Sequence, residues 1–189
     1  MSIISSKPTP RFVNLVIVIL ALAVSGSAYA GLDAYLWVTG QTQGQIQGSV
    51  TQAGREGSMQ IVEFAHNVSQ AIDSASGLPS GKRQHRPIRV TKPVDKASPL
   101  LANALINNEN LTSVRIDFWR PNSNGSEEQF YTVELVNARI TSISQHHGST
   151  PELLPTPTQE TVTLVYDTIV WTWQGSGISA QDDWLTPTP

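Results

Sequence analysis

The chain has 189 residues, of which 39% are hydrophobic and 14% are charged, and it contains 13 glycines, 12 prolines and no cysteine. That length allows one domain with a buried core, and the glycine, proline, Thr, Ser, Gln and Val content favours β structure over a helical bundle. The net charge of −3 argues against nucleic acid as a partner, and the lack of cysteine excludes disulfides and thiolate chemistry.

The first 30 residues have the pattern of a secretory signal peptide. Lys7 and Arg11 precede an unbroken apolar run over 15–24, and a small-residue A-x-A site ends at Ala30. We therefore expect cleavage after Ala30 and export of the mature chain out of the cell, without a stable membrane span. The alternative is an uncleaved anchor through 12–30 in the inner membrane, or retention in the periplasm, since a bilayer span needs about 20 apolar residues.

The domain begins with a predicted strand, in which Tyr35 and Trp37 alternate with their apolar neighbours. Glycines then recur at intervals of four, at Gly40, Gly44 and Gly48, in a polar segment. This spacing predicts tight turns and close approach between strands, because glycine has no side chain to obstruct them.

A second strand, a helix and a third strand are predicted after Pro87. Ile88 and Val90 share one face of the strand, which Pro93 ends. Ser98 followed by Pro99 predicts a helix start, with the serine as N-cap and the proline at the first helical position. Leucine and alanine then form one apolar stripe on a short helix, which we expect to pack on a sheet.

The second half of the chain predicts a curved sheet. Asn124-Gly125 lies between two alternating segments and predicts a β-hairpin. The return strand changes phase after Leu135, and the last strand changes phase between Tyr166 and Ile169. Bulges produce such changes and bend strands, so a curved or closed sheet is favoured over a flat one.

Side chains that could support catalysis or metal binding are sparse. His146 and His147 are adjacent, so in a strand they would point to opposite faces, and we expect an exposed pair rather than a metal site. His66 and His85 are expected to be isolated surface or hydrogen-bonded residues, and Asp182-Asp183 is expected to be solvated charge. A basic patch over 82–89 stays possible. We expect no enzyme activity, no metal and no cofactor.

Several ordered segments resemble the Hcp family, the hemolysin-coregulated tube proteins of bacterial type VI secretion. The resemblance covers roughly Ala34–Trp173. The segments are GSVTQAGREGS (Gly48–Ser58), GKRQHRPIRVTKPVDKASPLLANAL (Gly81–Leu105), VRIDFWRP (Val114–Pro121), QFYTVELVNARITSI (Gln129–Ile143) and YDTIVWTW (Tyr166–Trp173).

The resemblance implies a mainly β fold with one α-helix, in which a β-barrel-like pair of sheets is flanked by the short helix. It implies a tube domain over 31–175. The polar composition of 176–189, which ends in Thr-Pro-Thr-Pro, separately predicts a flexible tail. The resemblance also implies a homohexameric ring, with rings stacked into a tube that carries effector cargo, and with the spike protein VgrG and a contractile sheath as partners. The loop that the resemblance places near the ring contacts comprises Thr51, Gln52, Ala53, Gly54, Arg55, Glu56, Gly57 and Ser58.

The leader departs from the family pattern, because tube proteins of that system are normally cytosolic until the machine expels them. A second hypothesis is therefore an Hcp-like β-sandwich binding module, exported by the general pathway, that acts outside the cytoplasm independently of the secretion machine. Exposed tryptophans would hold its glycan or peptide. A third hypothesis, a secreted hydrolase, lacks a triad, a carboxylate pair or a metal set in the sequence.

Overall fold

The computed structural model describes residues 32–148 and 158–185, which form twelve β-strands and one α-helix. The predicted signal peptide and the alternative anchor lie outside the described residues. Among the residues that are described, no helix is both long and apolar enough to cross a bilayer. The elements are β1 Asp33–Gly40, β2 Gly44–Ile46, β3 Met59–Ile61, β4 Glu63–Ala65, β5 Val68–Ile72, β6 Pro79–His85, β7 Ile88–Pro93, α1 Ser98–Ile106, β8 Leu111–Pro121, β9 Glu127–His146, β10 Gln159–Val165, β11 Thr168–Trp173 and β12 Ile178–Asp183.

Ten strands form one bent antiparallel sheet, and β5 and β6 form a separate two-stranded sheet. The main order is β2-β1-β8-β9-β10-β7-β4, with β3 also on β1, β11 on β9 and β12 on β11. Strands β3 and β4 are separated by a single residue, Val62, yet β3 pairs with β1 and β4 pairs with β7. The sheet must therefore curl so that β1 and β7 both approach this segment. The prediction of a mainly β fold with one helix is confirmed, and the strands of the described residues do not close into a barrel.

Strand β9 connects the two halves of the sheet. Its first part lies between β8 and β11, and its second part pairs with β10. The buried side chains change from Val133 and Leu135 to Ala138 and Ile140 on either side of Asn137, whose φ is 52°. The predicted phase change is therefore confirmed. The turn at Asn122–Ser126 also joins β8 to β9 as the Asn-Gly pair predicts.

The core fills the concave side of the sheet, and α1 packs on β9 through Leu101 and Ala104. The N-cap prediction is wrong: the N-cap is Ala97, without a side-chain cap, and Ser98 is the first helical residue. The Ser98 hydroxyl instead donates a 2.7 Å hydrogen bond to Glu160 Oε1 inside the protein. Pro99 lies in the first turn, as predicted.

Two peripheral elements differ from the sequence-based expectation. Residues 178–183 form β12 on the edge of β11, whereas a loose tail was expected from residue 176. No strand was predicted over residues 79–85, which form β6 and pair with β5. Both elements are mostly exposed, so neither has the apolar alternation from which a buried strand is predicted.

Candidate functional site

The loop over residues 51–58 is clamped to the β8–β9 hairpin by Arg55. The side chain of Arg55 is buried, and its Nη1 lies 2.7 Å from Glu127 Oε2. Its guanidinium carbon lies 3.7 Å from the ring centroid of Trp119 and 5.0 Å from that of Tyr35. A planar cation between aromatic faces and a carboxylate fixes the loop by charge and by stacking.

The remaining loop residues divide into a buried support and an outward surface. Ser58 is buried and donates from its hydroxyl to the Arg55 carbonyl over 2.7 Å. The Tyr35 hydroxyl donates to Gln52 Oε1 over 2.7 Å, and Gln52 Nε2 donates to Glu127 over 2.9 Å. Gly57 is half-buried, and the exposed residues are Thr51, Gln52, Ala53, Gly54 and Glu56. Those five are the ones that can meet another molecule, and the ring contact itself stays a prediction.

An acidic cavity of about 370 Å³ opens beside this loop. Asp33 and Asp95 contribute carboxylates, and Tyr35 and Gln60 contribute polar groups from β1 and β3. The Asp95 carboxylate accepts from the amide of Ser49 over 3.0 Å and thereby joins the residues before the loop to the start of α1. The cavity lies at the C-terminal end of β7.

A basic cavity of about 530 Å³ lies at the opposite end of β7, within the patch over 82–89 that the sequence left possible. Arg86 and Arg89 line it together with His66 and Asn67. Within the described residues, neither arginine forms an ion pair with a carboxylate, so both guanidinium groups are available to an external anion. The chain therefore carries cavities of opposite charge at the two ends of one strand.

A hydrogen-bonded cluster of two histidines, a tyrosine and an aspartate lies behind the basic cavity. The Tyr166 hydroxyl is 2.8 Å from His66 Nε2 and 2.9 Å from His85 Nδ1. His85 Nε2 lies 3.0 Å from Asp182 Oδ2, and Arg83 donates two hydrogen bonds to the same carboxylate. The indole of Trp184 stacks on His85 with ring centroids 5.7 Å apart.

This cluster corrects three expectations. His66 and His85 are hydrogen-bonded, as one alternative had it, but they are not isolated, since their ring centroids lie 6.4 Å apart. Asp182 is not solvated tail charge: 15% of its side chain is exposed, and it pairs with Arg83. Burial opposes ionisation of Asp182, but the hydrogen bonds from Arg83 and His85 outweigh it and lower the pKa of this carboxyl.

Asp182, His85 and Tyr166 are hydrogen-bonded in the order of a carboxylate–histidine–hydroxyl catalytic triad. The Tyr166 hydroxyl is nevertheless not suited to act as a nucleophile. Only 3% of Tyr166 is exposed, so a substrate has no access to the oxygen. Burial, followed by the charge of Asp182, also raises the pKa of Tyr166 far above its ordinary value. A hydroxyl so difficult to ionise is a poor attacking group, and the cluster gives no support to the hydrolase hypothesis.

A second buried cluster surrounds Lys92, whose side chain is 1% exposed. Its ammonium lies 2.9 Å from Glu160 Oε1 and 2.8 Å from Asp95 Oδ1. Burial would raise the pKa of Glu160, but hydrogen bonds from Gln145, Lys92 and Ser98 outweigh that effect and lower it. The cluster joins β7, β10 and the start of α1, so its role is structural.

The tryptophans on β11 offer little free surface for the glycan or peptide of the binding-module hypothesis. Trp171 is half-buried against the core, and Trp173 is 40% exposed. The Arg120 guanidinium lies 5.3 Å from the Trp173 ring and 5.0 Å from the Phe130 ring. The described part of the chain holds no group of three or more His, Asp or Glu that could bind a metal, and His146 is exposed.

Comparison with known families assigns this architecture. A family model described as "Type VI secretion system effector, Hcp" matches residues 35–173, from within β1 to the end of β11. The chain belongs to the Hcp family. The resemblance noted in the sequence is therefore confirmed.

Individual Hcp relatives agree with this assignment. The chain is 38% identical over 165 residues to the "Major exported protein" of Pseudomonas aeruginosa, covering 82% of this chain and 96% of that protein. A solved "Crystal structure of Hcp protein" superposes with a TM-score of 0.77 at 30% identity, covering 82% of this chain and 99% of that one. The "Secreted protein Hcp3 from Pseudomonas aeruginosa" gives a TM-score of 0.66 at 31% identity, with 82% and 100% coverage.

The Hcp match ends at Trp173, before β12 begins. Asp182, the carboxylate that both Arg83 and His85 contact, therefore lies beyond the matched segment. The two histidines and Tyr166 lie inside it.

Proposed function

We propose that this Hcp-family chain is a structural tube subunit of a type VI secretion system, which self-assembles into hexameric rings that stack and carry effector cargo. The observation that carries the proposal is the family match over 35–173, which spans β1 to β11. The agreement of the fold with a solved Hcp structure at a TM-score of 0.77 supports it further. The proposal gives the chain no catalytic role.

The arrangement of the two charged cavities supports ring formation. A closed ring needs two different, mutually complementary surfaces on one protomer. The cavity with Asp33 and Asp95 and the cavity with Arg86 and Arg89 lie at opposite ends of β7, about 20 Å apart for six residues at about 3.3 Å each. We propose that the acidic cavity of one protomer faces the basic cavity of the next.

The exposed part of the 51–58 loop lies beside the acidic cavity and extends the same proposed contact. Edge strands provide a second opportunity for association, because their unpaired backbone groups invite further pairing. Strand β12 is such an edge, since it pairs with β11 on one side alone. The proposal includes VgrG, the contractile sheath and effector cargo as partners through family membership, and export from the cell.

Native mass spectrometry and negative-stain imaging of the purified protein test the assembly. We expect a hexamer and ring-shaped particles at tens of micromolar. A monomer at that concentration contradicts the tube proposal. It would favour the alternative hypothesis of an exported binding module, and a glycan or peptide array would then identify the ligand.

Charge reversal tests the proposed contact separately. We expect Arg89→Glu to dissociate the hexamer, Asp33→Lys to restore it when combined with Arg89→Glu, and Arg139→Glu to leave it intact. Arg139 is the matched control because it is an exposed arginine that lines neither cavity. A hexamer that survives Arg89→Glu keeps the tube proposal and rejects the contact between the charged cavities.

A further inference from the structure

The β5–β6 hairpin has few connections to the rest of the domain. Within residues 32–148 and 158–185 its strands pair only with each other, and β5 is exposed along its length. Among the described residues, the hydrogen bonds from this hairpin to other elements come from Arg83 and His85. Both side chains extend to Tyr166, Asp182 and Asp183. The cluster around Asp182 and Tyr166 therefore contributes to the attachment of the hairpin.

The hydrogen bonds of the cluster can be satisfied in one direction with both histidines neutral. Asp182 accepts from His85 Nε2, which leaves His85 Nδ1 without a proton and able to accept from the Tyr166 hydroxyl. The Tyr166 oxygen then accepts from His66 Nε2. In this series of hydrogen bonds each histidine donates one, and the Tyr166 hydroxyl donates its single proton to His85.

Protonation of His66 disturbs this arrangement. A proton on His66 would place a third positive charge in the cavity that Arg86 and Arg89 line. On the far side, Arg83 shares the Asp182 carboxylate with His85, and Asp183 follows on β12.

We infer that His66, Tyr166, His85 and Asp182 form an acid-sensitive latch, which holds the β5–β6 hairpin and β12 to the domain at neutral pH and releases them on acidification. Since the family match ends before Asp182, the complete latch is not assigned by family membership. The inference does not depend on ring formation, because every contact in it lies within one chain.

The direction of the pH dependence follows from His66. Burial, and then the proximity of His85, lower the pKa of His66 below its ordinary value of about 6.5. The folded cluster therefore favours the neutral imidazole. Its stabilising contribution is complete above about pH 6.5 and is lost as the pH falls below that value. The hairpin should open at acidic pH, and each proton taken up on opening should favour the open state about tenfold per pH unit.

Hydrogen exchange of the full chain at about pH 7.5 and about pH 5.5, corrected for the intrinsic rate, tests the latch. We expect amides of β5, β6 and β12 to lose protection about tenfold or more at the lower pH, while β8 and β9 keep theirs. Protection that is equal at the two pH values in the hairpin overturns the inference, as does simultaneous loss throughout the domain.

The four histidines of the chain provide matched variants. We expect His66→Gln/His85→Gln to abolish the pH response of the hairpin, and His146→Gln/His147→Gln to preserve it. A response that persists without His66 and His85 overturns the inference. If the first variant fails to fold, a proton NMR titration of the wild-type imidazoles decides: His66 must titrate together with hairpin opening, and titration of His66 without opening contradicts the latch.

Discussion

Lys92 and Glu160 form an ion pair from which water is excluded, with 2.9 Å between Nζ and Oε1 and at most 1% of either side chain exposed. The serine at the start of α1 donates to the same carboxylate oxygen over 2.7 Å. Two strands and the helix therefore meet at one charged point. Buried charges are tolerated where every donor and acceptor has a partner, and here they do.

Removing one member of this pair should be severe. Lys92→Met leaves the Glu160 carboxylate buried without its cation, and we expect the free energy of unfolding to fall by about 3–5 kcal/mol. Urea unfolding followed by circular dichroism measures the change. Lys96→Met is the control, because Lys96 is exposed and should change stability by less than about 0.5 kcal/mol. The double variant Lys92→Met/Glu160→Met should recover part of the loss, and equal effects of Lys92→Met and Lys96→Met would contradict the structure.

The Arg55 clamp should govern the order of the 51–58 loop. Arg55→Ala removes the bond to Glu127 and the stacking on Trp119, so we expect a loss of about 1–3 kcal/mol and faster amide exchange in the loop. Glu56→Ala changes the neighbouring exposed residue and should leave exchange unaltered. Hydrogen exchange with mass spectrometry compares the two variants, and an unchanged loop in Arg55→Ala would show that the clamp is dispensable.

Glu109 should contribute stability that depends on pH. It accepts from the amides of Thr42 and Gln43 over 2.7 and 2.8 Å, and the backbone bond from Gln43 is the main cause of its lowered pKa. A lowered pKa means that the ionised form stabilises the fold above its ordinary value of about 4.5, and that this contribution is lost as the pH falls further. We expect Glu109→Gln to cost about 1–2 kcal/mol at neutral pH and progressively less as the pH falls below about 4.5.

Denaturant unfolding of wild type and Glu109→Gln at several pH values between about 3 and 7 measures this difference. Glu56→Gln is the control at an exposed position. A constant difference across the pH range would mean that the charge of Glu109 is irrelevant to the turn.

Gly48 should be intolerant of a side chain. A Cβ at this position would lie 2.2 Å from the backbone oxygen of Ser58, closer than any real contact, so Gly48→Ala must displace the chain beside the loop. We expect a loss of about 1–3 kcal/mol by thermal unfolding. Gly44→Ala meets no atom within 4 Å and strains only a φ of 69°, so it should cost about 1 kcal/mol. A smaller loss for Gly48→Ala than for Gly44→Ala would contradict the predicted close approach.

The strands that face the core could be predicted because one buried face makes apolar and polar residues alternate along the sequence. Ile88 and Val90, or Val114 and Ile116, alternate with polar residues, and these side chains are fully buried in the structure. Asn124-Gly125 identified the hairpin because a tight turn demands residues that accept positive φ, and Gly125 has a φ of 78°.

The peripheral elements left no such signal. Every residue of β5 is exposed, and β12 consists mainly of polar residues, so alternation cannot distinguish an inner from an outer face. The contacts that retain these strands involve Arg83, His85 and Asp182, whose partners are about 100 positions apart in the chain. Pairings at that separation depend on the folded topology, which local patterns do not reveal.

The positions of Lys92 and Glu160 are consistent with burial, but their charge favours the interpretation that they are exposed. Lys92 continues the even-numbered buried series of Ile88 and Val90, and Glu160 continues that of Val162 and Leu164. Two opposite charges in phase with two buried faces indicate a buried pair between neighbouring strands. The N-cap prediction for Ser98 is wrong because its hydroxyl donates to Glu160.

The length of β9 has a consequence for how the domain resists heat and force. This one strand of 20 residues pairs with strands in both halves of the sheet, so neither half can melt while leaving the other with its template. The strands that β9 holds together should therefore lose structure in a single cooperative step. Under an applied force they would keep their arrangement up to a threshold and then separate at once.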